Sequence, residues 1–143
     1  MILFENHILK LVYTPATDIL DAQYPDLHDF LLPEIKHSIE FLIDKVKNYD
    51  IKYLLLDTTR TVFSVSPEES REIALYLATG LSKTRIQKLA RVKSLNFDVE
   101  TRAKGTMQYI IDSGMVSYQL KSFPDKAEAL EWLKVKQEVS NQE

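Results

Sequence analysis

The sequence predicts an α/β domain with a mixed, mostly parallel sheet of about four to six strands, about four flanking helices and an N-terminal hairpin. Two observations carry this. An amphipathic stripe over residues 34–49 runs straight into the continuous apolar stretch Leu54-Leu55-Leu56, the pairing of a surface helix with a strand buried on both faces. From there to the end, strand-like and helix-like stretches alternate, several of the helices bounded by recognisable start or stop residues.

Taken in order, Ile2–Phe4 and Ile8–Tyr13 read as a hairpin around Glu5-Asn6-His7. Pro15, Pro25 and Pro33 discourage continuous helix between Thr14 and Pro33, while Asp18-Ile19-Leu20-Asp21 offers one more strand. The spacing of Ile35, Ile39, Leu42, Val46 and Tyr49 predicts a helix over Glu34–Tyr49, with Phe41 off the stripe as a candidate contact residue. The strand at Lys52–Leu56 follows. Ser66-Pro67 with Glu69 is a capping box opening a helix whose inner face is Ile73, Tyr76 and Leu77 and whose stop is Gly80. A strand over Lys88–Ser94 and a helix over Thr101–Asp112 come next, the helix with Met107, Ile110 and Ile111 inward and Gly114 closing it. Val116, Tyr118 and Leu120 alternate as a half-exposed strand. Asp125 with Glu128 starts a last helix that turns Ala129, Leu130 and Leu133 inward beside Trp132. One domain over residues 1–136 and a polar tail at 137–143 account for the whole.

Composition excludes several classes of function. The 143 residues contain no cysteine, so disulfides, thiolate nucleophiles and cysteine metal sites are absent together, as suits a cytoplasmic protein. The start MILFENHILKLVY lacks the pattern of a signal peptide, and no apolar run approaches the roughly 20 residues of a membrane span. Residues 1–82 hold 7 basic and 13 acidic side chains, and residues 83–143 hold 11 and 8. That bias is too weak for a nucleic-acid binder, and the basic run Lys83, Arg85, Lys88, Arg91 and Lys93 reads as a solvated face.

Chemistry concentrates after the most buried strand, in Asp57-Thr58-Thr59-Arg60-Thr61. Loops beyond the carboxyl ends of strands are where open α/β sheets bind ligands. An acid, three hydroxyls and a guanidinium there can hold an anion, assisted by the helix start at Ser66, or Asp57 can cap the loop and pair with Arg60. The second acid of a phosphatase Asp-x-Asp-x-Thr motif is missing, and no carboxylates converge for Mg²⁺. His7, His28 and His37 show no metal-ligand spacing, although Asp26 and Asp29 flank His28. The expectation is a protein without catalytic residues, metal or cofactor.

The strand Lys52–Leu56 running into Asp57-Thr58-Thr59-Arg60, the run Lys88-Leu89-Ala90-Arg91-Val92, and the ending Phe123-Pro124-Asp125 to Glu128-Ala129-Leu130-Glu131-Trp132-Leu133 together resemble the STAS-type modules, the fold of anti-sigma-factor antagonists. More narrowly, the chain is similar to small bacterial STAS-like proteins of unknown function. The resemblance implies a regulatory, protein-binding role. In the antagonists a serine in an Asp-Ser-x-Gly-like turn is phosphorylated by a kinase; Phe63-Ser64-Val65-Ser66-Pro67 stands there in this chain, without the acid or the glycine, and makes Ser64 and Ser66 the candidates. The expected recognition face is thus Asp57, Thr58, Thr59, Arg60, Ser64 and Ser66 with the following helix, for a protein partner as yet unidentified. Self-association as a homodimer through Phe41 or a sheet edge is a further expectation. The alternative is a small-molecule or lipid carrier with an apolar cavity beneath Thr14–Pro33, walled by Tyr24, Leu27, Phe30 and Leu31.

Overall fold

The computed structural model describes residues 1–28 and 31–135. Along them run β1 (Ile2–Glu5), β2 (Lys10–Thr14), β3 (Ile19–Gln23), α1 (Leu32–Asn48), β4 (Tyr53–Asp57), α2 (Pro67–Leu81), β5 (Lys88–Val92), α3 (Phe97–Ser113), β6 (Gln119–Phe123) and α4 (Lys126–Lys134). The strands form one sheet in chain order. β1, β2 and β3 pair antiparallel, and β3 to β6 pair parallel. The predicted hairpin, the extra strand near Ile19 and the mostly parallel sheet are all present. The tail expected at 137–143 lies outside the described residues.

Alternation along the strands divides two cores. Leu54 and Leu56 of β4 point into the larger one with Ile35, Ile39, Leu42 and Leu77. Leu55 points the other way, toward Ala129 and Leu133 of α4. Helices α1, α2 and α3 pack side by side on one face, and α4 covers β4, β5 and β6 on the other. A strand covered on both sides reads as an unbroken apolar run, which is why Leu54-Leu55-Leu56 was informative.

Local chemistry sets the helix ends. Pro33 sits in the first turn of α1, where its missing N–H costs nothing. Ser66 and Glu69 exchange hydrogen bonds in a full capping box at α2. Asn96 caps α3 through Val99 N–H, and Gly114 ends it in the left-handed conformation at φ 68°. Asp125 accepts from Glu128 N–H to start α4. Helix α3 therefore begins at Phe97, earlier than the expected Thr101, because Asn96 supplies the cap.

Several side chains differ from expectation. Gly80 does not stop α2, which continues to Leu81. A Cβ at Gly80 would lie 2.3 Å from Ile43 Cδ1, so the glycine allows α1 and α2 to approach closely. Phe41 is half-buried, its ring stacked on Phe4 at 4.7 Å and edge-on to His37 at 4.9 Å. It is part of the packing between α1 and the hairpin, which withdraws it as a free dimer contact. Tyr49, Tyr76 and Ile111, expected inward, are exposed at the margins of their stripes.

Gly80→Val is expected to destabilise the protein by about 1–3 kcal/mol, since branching at Cβ forces Ile43 out of its rotamer. Urea unfolding checks this, and an unchanged midpoint would contradict close packing of α1 on α2.

Candidate functional site

The carboxyl ends of β3, β4 and β5 meet at one edge of the sheet, and main-chain hydrogen bonds lock the connecting segments together. Tyr24 N–H donates to Asp57 O, and Thr58 N–H to Val92 O. Leu27 N–H donates to Val62 O and Ser64 N–H to Leu27 O, an isolated parallel bridge between Leu27 and Phe63. Leu95 N–H donates to Thr59 O. The loop of residues 58–66 is thereby held on one side by the segment after β3 and on the other by the β5–α3 loop. Side chains add to this: Thr61 Oγ1 donates to Tyr24 O, and Asp26 accepts from Val62 N–H.

The predicted residues do not gather at one point. Asp57 accepts from the N–H and hydroxyl of Thr59, which turns the chain out of β4. It makes no pair with Arg60, which is exposed and has no hydrogen bond or ion pair among the described residues. Thr58 is buried, its hydroxyl donating to Val92 O, so it is unavailable at the surface. Ser66 is occupied as the α2 cap. The expected anion site at the α2 start is also filled, because Ser66 takes the Glu69 N–H while Glu68 and Glu69 put negative charge in the first turn. Ser64 is exposed, and its Oγ lies 3.0 Å from His28 Nδ1, a pairing invisible in the spacing of two residues 36 apart. Asp57, Thr59, Arg60 and Thr61 line an open polar cleft of about 850 Å³, walled opposite by His7 and Lys10 of the β1–β2 turn.

Three features escaped the sequence reading. Leu95 and Phe97 are 83% and 80% exposed, side chains of a loop hydrogen-bonded to Thr59. The signal for them was present, as two apolar residues separated by the capping Asn96 outside any strand. Second, the basic run is not all solvated. Lys88 and Arg91 lie on opposite faces of β5, and both are buried. Lys88 Nζ donates to Trp132 O and Val135 O at the end of α4, and burial lowers its pKa. Arg91 binds both carboxylate oxygens of Glu100 at 3.0 and 2.9 Å. Glu100 also accepts from Ser94 N–H. Burial opposes its ionisation, but the hydrogen bonds from Arg91 and Ser94 and the nearby positive charge prevail and hold the carboxyl below its ordinary value.

The third feature is an apolar cavity of about 100 Å³ between α2, α3 and β4–β6. It is not where a carrier cavity was expected. Of the residues named for it, Tyr24 lines this one, Leu27 is wholly buried in the core, Leu31 packs against that core, and Phe30 lies outside the described residues. Among the described residues no cluster of three His, Asp or Glu side chains can hold a metal, and no helix is long and apolar enough to cross a membrane. Comparison with protein-family models, curated proteins and solved structures finds no match to this chain.

Glu100→Gln leaves a buried guanidinium without its counter-charge and is expected to cost about 3 kcal/mol near neutrality. Because the folded-state pKa is depressed, the carboxylate's contribution is complete above the ordinary value of 4.5 and is lost as pH falls through the lower folded value. The stability gap between wild type and variant is therefore expected to narrow below pH 4.5, and denaturant melts at several pH values would show a constant gap if the pair were unimportant.

Proposed function

We propose that this protein is a non-enzymatic regulatory module of STAS-like type, working in the cytoplasm, which captures a protein partner at the rim formed by the β4–α2 and β5–α3 loops. The observation that carries the reading is the exposure of Leu95 and Phe97 on a loop tied by hydrogen bonding to Thr59, with exposed Arg60 and Val62 beside them. Exposed aromatic and aliphatic side chains with an arginine are the residue types that dominate protein-binding hot spots. Burying one such apolar side chain is worth roughly 1.5–3 kcal/mol, which pairing with a partner would recover. The main-chain bonds on both sides of residues 58–66 also favour binding, because a loop already fixed loses little entropy when it docks.

Regulation enters at Ser64. Its hydroxyl is exposed while that of Ser66 is engaged in capping, so Ser64 is the better phosphate acceptor of the two. A phosphate there would add nearly two negative charges beside His28 and on the loop that carries Arg60. The same serine would then act as the switch that the resemblance to the antagonists implies.

Leu95→Asp with Phe97→Asp is expected to abolish partner recovery while shifting stability by no more than about 0.5 kcal/mol, as surface changes do. Arg60→Ala and Ser64→Asp are expected to weaken recovery in the same assay. Affinity purification of wild type and variants at equal expression, with mass spectrometry of what is bound, checks this. Equal recovery from all of them would remove the rim from the binding face.

A further inference from the structure

The cavity between α2 and α3 has walls of two kinds. Small residues on the facing helices, Ala74 and Ala78 of α2 with Ala103 of α3, leave the gap. Leu89, Ile110 and Leu120 give its deep end a hydrocarbon lining. Most of the polar groups bordering it are turned to the protein's own backbone. Thr58 donates to Val92 O, Ser70 to Pro67 O and Tyr118 to Ala78 O. Outside the gap, the Arg71 guanidinium lies over the Tyr109 ring at 4.0 Å and links α2 to α3.

The end nearest the carboxyl edge of the sheet is different. The Tyr24 hydroxyl has no hydrogen-bond partner among the described residues. Burial raises its pKa against the lowering effect of Arg91, so the phenol stays protonated and able to donate. Arg91 is neutralised by Glu100, but Arg102 has no carboxylate partner and spends one N–H on Val65 O. This end of the cavity therefore carries one uncompensated positive charge and an idle donor.

We propose that this cavity binds a medium-chain aliphatic carboxylate, its chain against the leucine and isoleucine walls and its carboxylate received by Arg102 and Tyr24. A space of this size admits roughly seven to ten water-sized groups, which matches a chain of octanoate length and excludes a full phospholipid. The binding goes beyond the partner-capturing rim and does not use Leu95 or Phe97.

Titration of the full chain with octanoate, followed by calorimetry and by amide chemical shifts, tests the site. Saturable one-to-one binding with Kd of roughly 0.1–1 mM is expected for a ligand of so few atoms, with shifts centred on residues 74, 78 and 103. Ala103→Leu fills the gap and is expected to weaken binding at least about tenfold, and Ala74→Val replaces it if that variant fails to fold. Arg102→Met is expected to weaken octanoate about fivefold or more yet leave the uncharged 1-octanol unaffected, since only the charge-assisted contact is lost. The Leu95→Asp, Phe97→Asp variant is expected to bind octanoate as wild type does, so this site and the rim stand or fall separately. Absence of saturation, undiminished binding to a folded cavity-filled variant, or recovery of a phospholipid rather than a free acid in organic extracts would overturn the proposal.

Discussion

The structure is organised around one buried charge. Arg91 stands at the centre of β5, a strand whose five residues are all buried, and is only 7% exposed. A guanidinium cannot be neutralised by losing its proton, so its burial demands an acid with matched geometry. Glu100 supplies it from the first turn of α3 through two parallel hydrogen bonds. The same carboxylate receives Ser94 N–H, fixing the β5–α3 loop where it leaves the strand. Position of α3, course of the loop and charge balance in the core are thus consequences of one pair.

Both proposed sites follow from that pair and lie on opposite sides of it. On the solvent side, the fixed loop holds Leu95 and Phe97 outward beside Arg60. On the inner side, the pair neutralises the cavity's deeper guanidinium and leaves Arg102 as the free one. Lys88 performs a related task on the opposite face of β5, where its ammonium satisfies carbonyls at the end of α4 and lies over the Trp132 ring at 5.0 Å. The basic run is therefore divided between two buried structural roles and a solvated remainder.

The fold was legible because its signals are local. Ser66-Pro67 with Glu69, Asp125 with Glu128, and Gly114 fix helix ends within four residues of chain, and Leu54-Leu55-Leu56 announces a two-sided strand by itself. What stayed hidden depends on contacts between distant residues. Phe41 looked free because Phe4, its stacking partner, belongs to the first strand. Gly80 looked like a stop because the Ile43 side chain that requires it is on another helix. The Asp57–Ser66 segment was correctly placed at the carboxyl edge of the sheet, yet its chemistry was dispersed: Thr58 turned inward, Ser66 was consumed as a cap, and Arg60 stayed in solvent. Exposure of Leu95 and Phe97 was a matter of loop course, which Glu100 decides from the far side of the turn.

The central claim is that this edge of the sheet engages another protein, and native mass spectrometry of the untagged chain isolated gently from its own cells tests it most directly. The account predicts a discrete heteromeric complex whose population rises or falls with a phosphate mapped to Ser64. A chain recovered bare, or only as copies of itself, with no phosphate on any serine, would contradict it.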